Sequence, residues 1–255
     1  MAPYIYSVII SLASIVLVGL IFGDPNRLQA RSPTAVDVGP FSTTAPSGPW
    51  PDGWKPLTFP KIPQHTTYDL VRDGDYVVVK AASQASSSGY TKEILIDPKE
   101  YPIIQWRWKV SNTLKAGDVT RKEGDDYPAR IYVTFQYESA KVGLFGKAKY
   151  EAAKLIYGRY PPLGAINYIW ESRAPVGTAV PNPYTEQVQM IVVESGAAKL
   201  NTWVTEERNV YEDYKRVFGE EPSLISGVAI MTDTDNTGES AEAYYGDIIF
   251  KRRHE

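Results

Sequence analysis

Apolar and polar residues alternate along two stretches of the chain, Ile103–Val110 and Arg130–Tyr137. Successive side chains of a β-strand point to opposite faces, so a period of two predicts a strand with one apolar face and one polar face. The apolar faces contain Trp106, Trp108 and Ile131 among others. The polar faces carry Gln105, Arg107, Lys109, Arg130, Tyr132, Thr134 and Gln136. Such strands bury one face against a second layer, and the polar face is then either simply solvated or a surface for a sugar.

Short runs of the same kind recur through the body of the chain, with Gly, Pro, Asp and Ser between them. The predicted strands are Tyr76–Ala81, Glu93–Ile96, Ile103–Val110, Arg130–Tyr137, Ile166–Glu171, Gln187–Glu194, Asn201–Thr205, Gly227–Thr232 and Asp247–Lys251. Many short strands separated by turn residues are typical of a sandwich or barrel. We therefore predict a mainly β protein, built as a β-sandwich.

Two segments follow the helical period instead. Phe145–Tyr157 has apolar side chains at helical spacing and is followed by Gly158, a residue type that commonly ends helices. Glu206–Phe218 has the same pattern, with Gly219 behind it. Because these helices do not alternate with every strand, a parallel α/β sheet is disfavoured. The sequence predicts two helices inserted between the strands of the sandwich.

An uncharged apolar run, Ile5–Phe22, lies near the N-terminus. It is long for the apolar part of a signal peptide and near the lower limit for a membrane span. Residues 1–30 are therefore predicted to form an apolar helix that is either a cleaved signal peptide or an uncleaved anchor held in the membrane by residues 5–22. A buried core helix is the third alternative. Arg27 and Arg31 follow the run, and positive charges favour the cytoplasmic side of a membrane. They would place the body of an anchored chain in the cytoplasm, so the orientation of the anchor stays open.

The next segment is dense in Pro, Ser, Thr and Gly, which disfavours ladder hydrogen bonds and favours extended chain. We predict a Pro-rich linker over residues 31–53 and one β-sandwich domain over residues 54–255. With 27 Lys and Arg residues against 30 Asp and Glu residues, the formal charge of −3 argues against a nucleic-acid partner. The absence of cysteine excludes disulfides and Cys-ligated zinc.

Catalytic signals are weak. His65 and His254 are the two histidines, and both lie near the ends of the predicted domain, so a His-dependent triad is disfavoured. A pair of carboxylates, as used by glycosidases, needs only two acids at a suitable separation. The candidate acids are Asp126, Glu171, Asp213, Asp233 and Asp235. We assign no catalytic residue.

Two carboxylates precede a strand arginine in the stretch Gly124–Arg130. A planar guanidinium binds a carboxylate through two parallel hydrogen bonds, so Asp126 and Arg130 are predicted to form either a structural ion pair or a clamp for a ligand.

The densest run of oxygen ligands is Met231–Gly238. Calcium takes six to eight oxygen ligands, and carboxylates and carbonyls supply them. An EF-hand is excluded because Tyr244 stands where that loop needs a bidentate Glu. A calcium site that uses Asp233, Asp235 and Asn236 is one interpretation, and a turn whose side chains cap backbone groups is the other.

Five ordered motifs resemble those of DUF3047, a family of bacterial proteins without an established function. They are Trp106–Val110, Asp125–Val133, Asn167–Trp170, Arg208–Gly219 and Asp233–Thr237. The resemblance spans roughly Trp54 to Phe250 and implies a protein of the bacterial cell envelope, periplasmic or anchored in the inner membrane. It implies no reaction. By a looser analogy, the fold resembles galactose-binding-like jelly rolls, whose members often bind glycans.

These observations favour an envelope binding module for a glycan or another polar ligand, with Ca²⁺ as the candidate cofactor. The predicted ligand-binding residues are Asp126, Arg130, Tyr132, Asn167, Trp170, Arg208, Asn209 and Asp213. Two alternatives stay open: a carboxylate-dependent polysaccharide hydrolase or lyase, and a scaffold subunit held at the membrane by residues 5–22. An internal network of ion pairs that ties the second helix to the sheet is also compatible with these residues.

Overall fold

The computed structural model describes residues 33–143, 146–148, 150, 151, 154 and 161–253. Within these residues the strands are β1 (Ala35–Gly39), β2 (Trp54–Leu57), β3 (Thr67–Asp73), β4 (Tyr76–Gln84), β5 (Ser87–Ile96), β6 (Ile103–Val110), β7 (Ala129–Phe135), β8 (Gly164–Glu171), β9 (Ala179–Asn182), β10 (Thr185–Ser195), β11 (Val204–Asn209), β12 (Ile225–Asp233) and β13 (Ser240–Lys251). One α-helix with described bounds, α1 (Val210–Phe218), follows β11. The mainly β prediction is confirmed.

The strands form two sheets in the described part of the chain. One sheet has the order β11-β6-β13-β4-β3, with β1 also paired to β13, and the other has the order β2-β5-β12-β7-β8-β10-β9. β8 and β10 run parallel, and the other described neighbours are antiparallel. The fold is therefore a two-sheet sandwich.

The alternation read from the sequence decides which side chains fill the space between the sheets. On β6, every second residue from Ile104 is buried, and on β7 the same period holds from Ile131 onward. The ring of Trp106 lies 5.3 Å from that of Tyr168 on the opposite sheet, and Trp108 lies 6.0 Å from Trp170. Because β6 and β7 belong to different sheets, their polar faces lie on opposite outer sides of the sandwich.

The segment predicted to be a linker differs from that expectation. β1 pairs with residues 248–251 of β13, past the part of β13 that pairs with β4, and the Phe41 side chain that follows is fully buried. Phe41 contacts the rings of Trp50 and Trp54, and Trp54 Nε1 donates to the Val38 carbonyl at 2.9 Å. The prolines lie outside β1, so they do not interrupt its ladder. Residues 34–53 thus join the compact unit that extends over the rest of the described chain.

Helix α1 begins later than the sequence predicts. Residues 206–209 continue β11 in register with β6, and the Asn209 side chain then accepts the Glu212 N–H at 3.0 Å as the N-cap. Gly219 ends the helix with a φ of 74°, the left-handed conformation that glycine adopts most readily. In the other predicted helix, Phe145–Tyr157, the described positions 146–148, 150, 151 and 154 are helical, and its remaining positions lie outside the described residues.

The predicted N-terminal helix, residues 1–30, lies outside the described residues. No helix in the part of the chain that the structure describes is long and apolar enough to cross a bilayer.

Candidate ligand-binding groove

The outer face of the seven-stranded sheet carries a groove of about 910 Å³. Its floor is low because strand β12, which lies between β5 and β7, presents two small residues there. Ala229 lies in register with Thr91 on β5 and with Tyr132 on β7. Gly227 lies one row below, where a Cβ would come within 3.0 Å of Thr134 Oγ1. The larger side chains on both sides therefore stand above the centre of the sheet and enclose a concave surface.

The walls of the groove come from opposite edges of the sheet. Leu57 on β2, together with Phe59 and Ile62 in the segment after it, forms an apolar wall. Asn182 at the end of β9 and Tyr184 in the following turn contribute to the opposite wall. The outer faces of β8 and β10, which lie between β7 and β9 in the sheet, carry a small apolar cluster: Val119, Tyr127, Ile169, Met190 and Val192. The groove is the part of the face that this cluster leaves open.

Arg130 lies at the charged end of the groove, and it is 4% exposed. Its Nη2 donates to Asp233 Oδ2, and its Nη1 lies 3.9 Å from Asp125 Oδ1. The guanidinium carbon is 5.1 Å and 5.5 Å from the centres of the Tyr127 and Tyr132 rings. This arrangement neutralises one buried carboxylate and surrounds the cation with aromatic faces, which attract it electrostatically.

Asp126, in the segment before β7, binds the loop that follows β12. Its Oδ2 accepts the Thr237 N–H at 2.6 Å, and its Oδ1 accepts the Asn236 N–H at 3.3 Å. The Asn236 side-chain oxygen in turn accepts the Tyr184 hydroxyl at 3.3 Å. Asp126 is 1% exposed and does not line the groove. It therefore positions the loop that carries Asp235 and Asn236.

Three ionisable side chains at the charged end have raised pKa values. Burial raises the pKa of Asp125, and the neighbouring Arg130 opposes that effect. Burial and the nearby Asp126 raise the pKa of Asp235. Burial also raises the pKa of the Tyr132 hydroxyl, so it stays a hydrogen-bond donor at neutral pH. The end of the groove thus offers both donors and acceptors.

Three carboxylates lie close enough to share a cation. One oxygen from each of Asp126, Asp233 and Asp235 lies within 4.8 Å of the others. Oxygen ligands on opposite sides of a Ca²⁺ ion are about 5 Å apart, so the spacing fits. The same groups are already engaged, because Asp126 accepts two backbone N–H groups and Asp233 accepts from Arg130 and from the Tyr127 N–H at 3.2 Å. Arg130 thus competes with a metal ion for the cluster.

The predicted residues Arg208, Asn209 and Asp213 lie elsewhere, around α1. Asp213 accepts from Arg208 Nη2 at 2.6 Å and Arg208 Nε at 3.0 Å, from Arg216 at 3.1 Å and from the Tyr168 hydroxyl at 3.0 Å. Since Tyr168 belongs to β8, this network ties the helix to the seven-stranded sheet. Together with the Asn209 cap it explains these residues structurally, and none of them lines the groove.

Trp170 and Asn167 also differ from the prediction. Trp170 faces the core, fully buried, and its Nε1 donates to the Gly196 carbonyl at 3.1 Å. Asn167 pairs in register with Tyr132 but is fully buried, and its amide contacts Met190 Sδ at 3.3 Å. The sheet position of Asn167 is on the expected outer face, where the small apolar cluster covers it. Of the eight predicted ligand-binding residues, Arg130 and Tyr132 line the groove.

The carboxylate-hydrolase alternative required two acids in an open cleft. Asp126 and Asp233 are instead buried, with oxygens within 4.8 Å of each other, and Asp233 is paired with Arg130. Inverting glycosidases hold their acids about 6.5–9.5 Å apart and retaining enzymes about 5–5.5 Å apart, with access to substrate. Asp126 and Asp233 are buried, so this pair lacks the access to substrate that both classes of enzyme need.

Several lining residues were absent from the prediction. Asp125 accepts the Asn182 amide at 2.8 Å, which fixes the end of β9 against the charged end. Asp125 is next to Asp126 in the motif Asp125–Val133, so the motif already pointed to an acidic side chain at this end of the groove. Asn182 and Tyr184 follow a turn-rich stretch with no strand period, and only the folded hairpin brings them to the groove.

Solved structures with a similar arrangement include the family 11 carbohydrate-binding module of a cellulosomal cellulase of Clostridium thermocellum, at 9% identity and a TM-score of 0.42 over 87% of this chain and 96% of that chain. The family 30 carbohydrate-binding module from the same organism matches at 9% identity and a TM-score of 0.41, over 86% and 99% of the two chains. A family 12 xyloglucanase from Bacillus licheniformis matches at 7% identity and 0.42, over 86% and 99%.

A search of curated proteins finds no match to this sequence. The family model described as "Protein of unknown function (DUF3047)" matches residues 52–249, which confirms the resemblance read from the five motifs. The chain belongs to the DUF3047 family.

Proposed function

We propose that this chain is a binding module that holds a glycan, or another ligand rich in hydroxyl groups, in the groove of the seven-stranded sheet. The observation that carries the proposal is the convergence of donors and acceptors on one concave, accessible surface. Arg130 and Tyr132 donate, Asp125 accepts, and Thr91 and Thr134 do both. Specific small-molecule sites combine such a concave surface with a few convergent polar groups.

Hydroxyl groups suit this mixture better than charged groups do. A hydroxyl both donates and accepts, so one such group can satisfy Arg130 and Asp125 together across their 3.9 Å separation. A ligand carboxylate would meet Asp125, Asp233 and Asp235 around a single guanidinium, and like charges at this distance repel. The groove therefore favours neutral hydroxylated ligands over anionic ones.

We further propose that the module works in the bacterial cell envelope, either exported or held at the inner membrane by residues 5–22. The uncharged run Ile5–Phe22 supports this location, since its length lies between that of a usual signal-peptide apolar region and that of a usual membrane span. The test is cell fractionation of a tagged full-length chain, with a version lacking residues 1–30 as the control. A tag recovered only in the cytosol for the full-length chain would overturn the location.

Binding is tested by screening the full-length chain on a glycan array, with and without Ca²⁺, and by calorimetry on each hit. Tyr132→Ala removes the tyrosine ring and its hydroxyl from the groove. We expect it to weaken binding at least tenfold, because the ring contacts with the ligand and one hydrogen-bond donor are lost together. Tyr76→Ala is the matched control, since Tyr76 is a half-exposed tyrosine in the other sheet and does not line the groove. Circular dichroism verifies that both variants fold.

The absence of binding across a broad neutral and charged panel would overturn the proposed function. Binding that Tyr132→Ala and Tyr76→Ala weaken equally would place the ligand somewhere other than the groove.

A further inference from the structure

The two walls of the groove differ in chemistry. Leu57, Phe59 and Ile62 present no hydrogen-bonding side-chain group, whereas Asp125 and Asn182 do so on the other side. Met231 on β12 extends the apolar surface from Leu57 toward Arg130, because Leu57 is in register with Gly89, Gly89 with Met231, and Met231 with Arg130.

A fully hydroxylated ligand does not match this apolar wall. Hydroxyls pressed against Leu57 and Ile62 would lose their hydrogen bonds to water without replacement, and that loss is unfavourable. A hydrocarbon chain in the same place removes apolar surface from water on both sides, which is favourable by about 25 cal/mol per Å². The lining thus favours a ligand that is itself divided into a polar and an apolar part.

We propose that the ligand of the groove is an amphiphile, in which a hydroxylated headgroup is joined to one apolar chain. The headgroup lies against Asp125, Arg130 and Asn182, and the chain crosses Met231 to Leu57, with Phe59 and Ile62 beside it. A glycolipid has this chemistry. The volume of about 910 Å³ leaves room for a chain beside a single headgroup. This inference rests on the proposed function and names its ligand class.

The test measures how affinity depends on chain length. The full-length chain is titrated calorimetrically with hexyl and octyl β-glucopyranoside below their micelle concentrations, and with free glucose as the head without a chain. Two added methylenes are expected to raise affinity on the order of tenfold, since each buried methylene contributes about fourfold. Leu57→Gln is expected to lower the affinity for the octyl compound several-fold and to leave the affinity for free glucose unchanged.

Val176→Gln is the matched control, because Val176 is 61% exposed and does not line the groove. Leu57 is partly exposed on the edge strand β2 and Val176 is exposed, so neither substitution disturbs the core. The control also separates groove binding from adsorption of alkyl chains to residues 5–22, since adsorption there would respond equally to both variants.

The possible outcomes separate the two proposals. Chain-length dependence that Leu57→Gln removes and Val176→Gln retains supports the amphiphile, and chain-length dependence that both variants retain overturns it. Binding of free heads that Tyr132→Ala weakens, without any gain from the alkyl chain, overturns the amphiphile and leaves the proposed function standing. Failure of glucosides and of the whole glycan panel to bind overturns both.

Discussion

Arg130 on β7 donates to Asp233 at the end of β12, and both side chains are at least 96% buried beneath the charged end of the groove. The pair joins the floor of the groove to the loop that carries Asp235. Because a buried charge without a partner is costly, this contact couples the shape of the site to the stability of the fold.

Removal of the cation in Arg130→Gln is expected to lower the free energy of unfolding by about 3–5 kcal/mol, since Asp233 is left buried beside Asp126 and Asp235. Urea unfolding followed by tryptophan fluorescence measures it. The double variant Arg130→Gln/Asp233→Asn is the control, and it should recover part of the loss because the uncompensated charge is gone. A single variant as stable as the parent chain would show that the pair contributes nothing.

Calcium binding should depend on whether Arg130 is present. In the parent chain the guanidinium already neutralises Asp233, so we expect Ca²⁺ to bind with a Kd of about 1 mM or weaker. Arg130→Gln should bind Ca²⁺ at least tenfold more tightly, and the added Asp235→Asn should abolish the gain. Calorimetric titration measures all three. Micromolar binding by the parent chain would contradict competition between Arg130 and the metal ion.

Asp213 is expected to matter for stability and not for binding. Asp213→Asn removes the carboxylate shared by Arg208, Arg216 and Tyr168, and we expect a loss of about 2–3 kcal/mol of unfolding free energy. Glu221→Gln is the control, since its ion pair with Lys99 is exposed to solvent and should contribute little to stability. A loss of ligand affinity in a folded Asp213→Asn protein would show that Asp213 and its partners take part in ligand binding.

The carboxyl of Glu206 should make stability depend on pH. Burial, and next the nearby Glu194, raise the pKa of Glu206 to about 7, against 4.5 for an ordinary glutamate. The folded chain therefore holds this proton more tightly than the unfolded chain, so its contribution to stability falls as pH rises from about 4.5 to 7 and is constant above that range.

Glu206→Gln should accordingly stabilise the chain at pH 8 by about 1 kcal/mol, a value reduced for the water that still screens the carboxylate, and should change little at pH 4.5. Thermal unfolding at the two pH values measures the difference. Glu207→Gln, at the exposed neighbouring position, is the control and should show no such gain. An equal effect of Glu206→Gln at both pH values would contradict the raised pKa.

The regular part of the fold was readable from the sequence because strand period is a local property. The alternation of Ile104, Trp106 and Trp108 specifies a buried face without reference to any partner. The short edge strands were not readable in this way. β2 has four residues and contains Pro56, which is tolerated there because edge strands leave some N–H groups unpaired.

The site is only partly predictable from the sequence, because some polar motifs line the groove and others form ion pairs inside the fold. Arg130 and Tyr132 follow from the polar face of one strand. Arg208 and Asp213 belong to motifs of the same polar character, yet they pair with each other around α1. Which polar residues face solvent depends on the covering cluster and the hairpin at Tyr184, and these are long-range contacts that no local pattern reports.

The central claim is that the concave face of the seven-stranded sheet holds the ligand. The most direct measurement is mapping of amide chemical shifts in the isotope-labelled chain during titration with the ligand of highest affinity. We expect the shifts to concentrate at Thr91, Tyr132 and Ala229, on three adjacent strands of the groove floor. Shifts that concentrate instead around Tyr76 and Lys109, on the outer face of the six-stranded sheet, would contradict it.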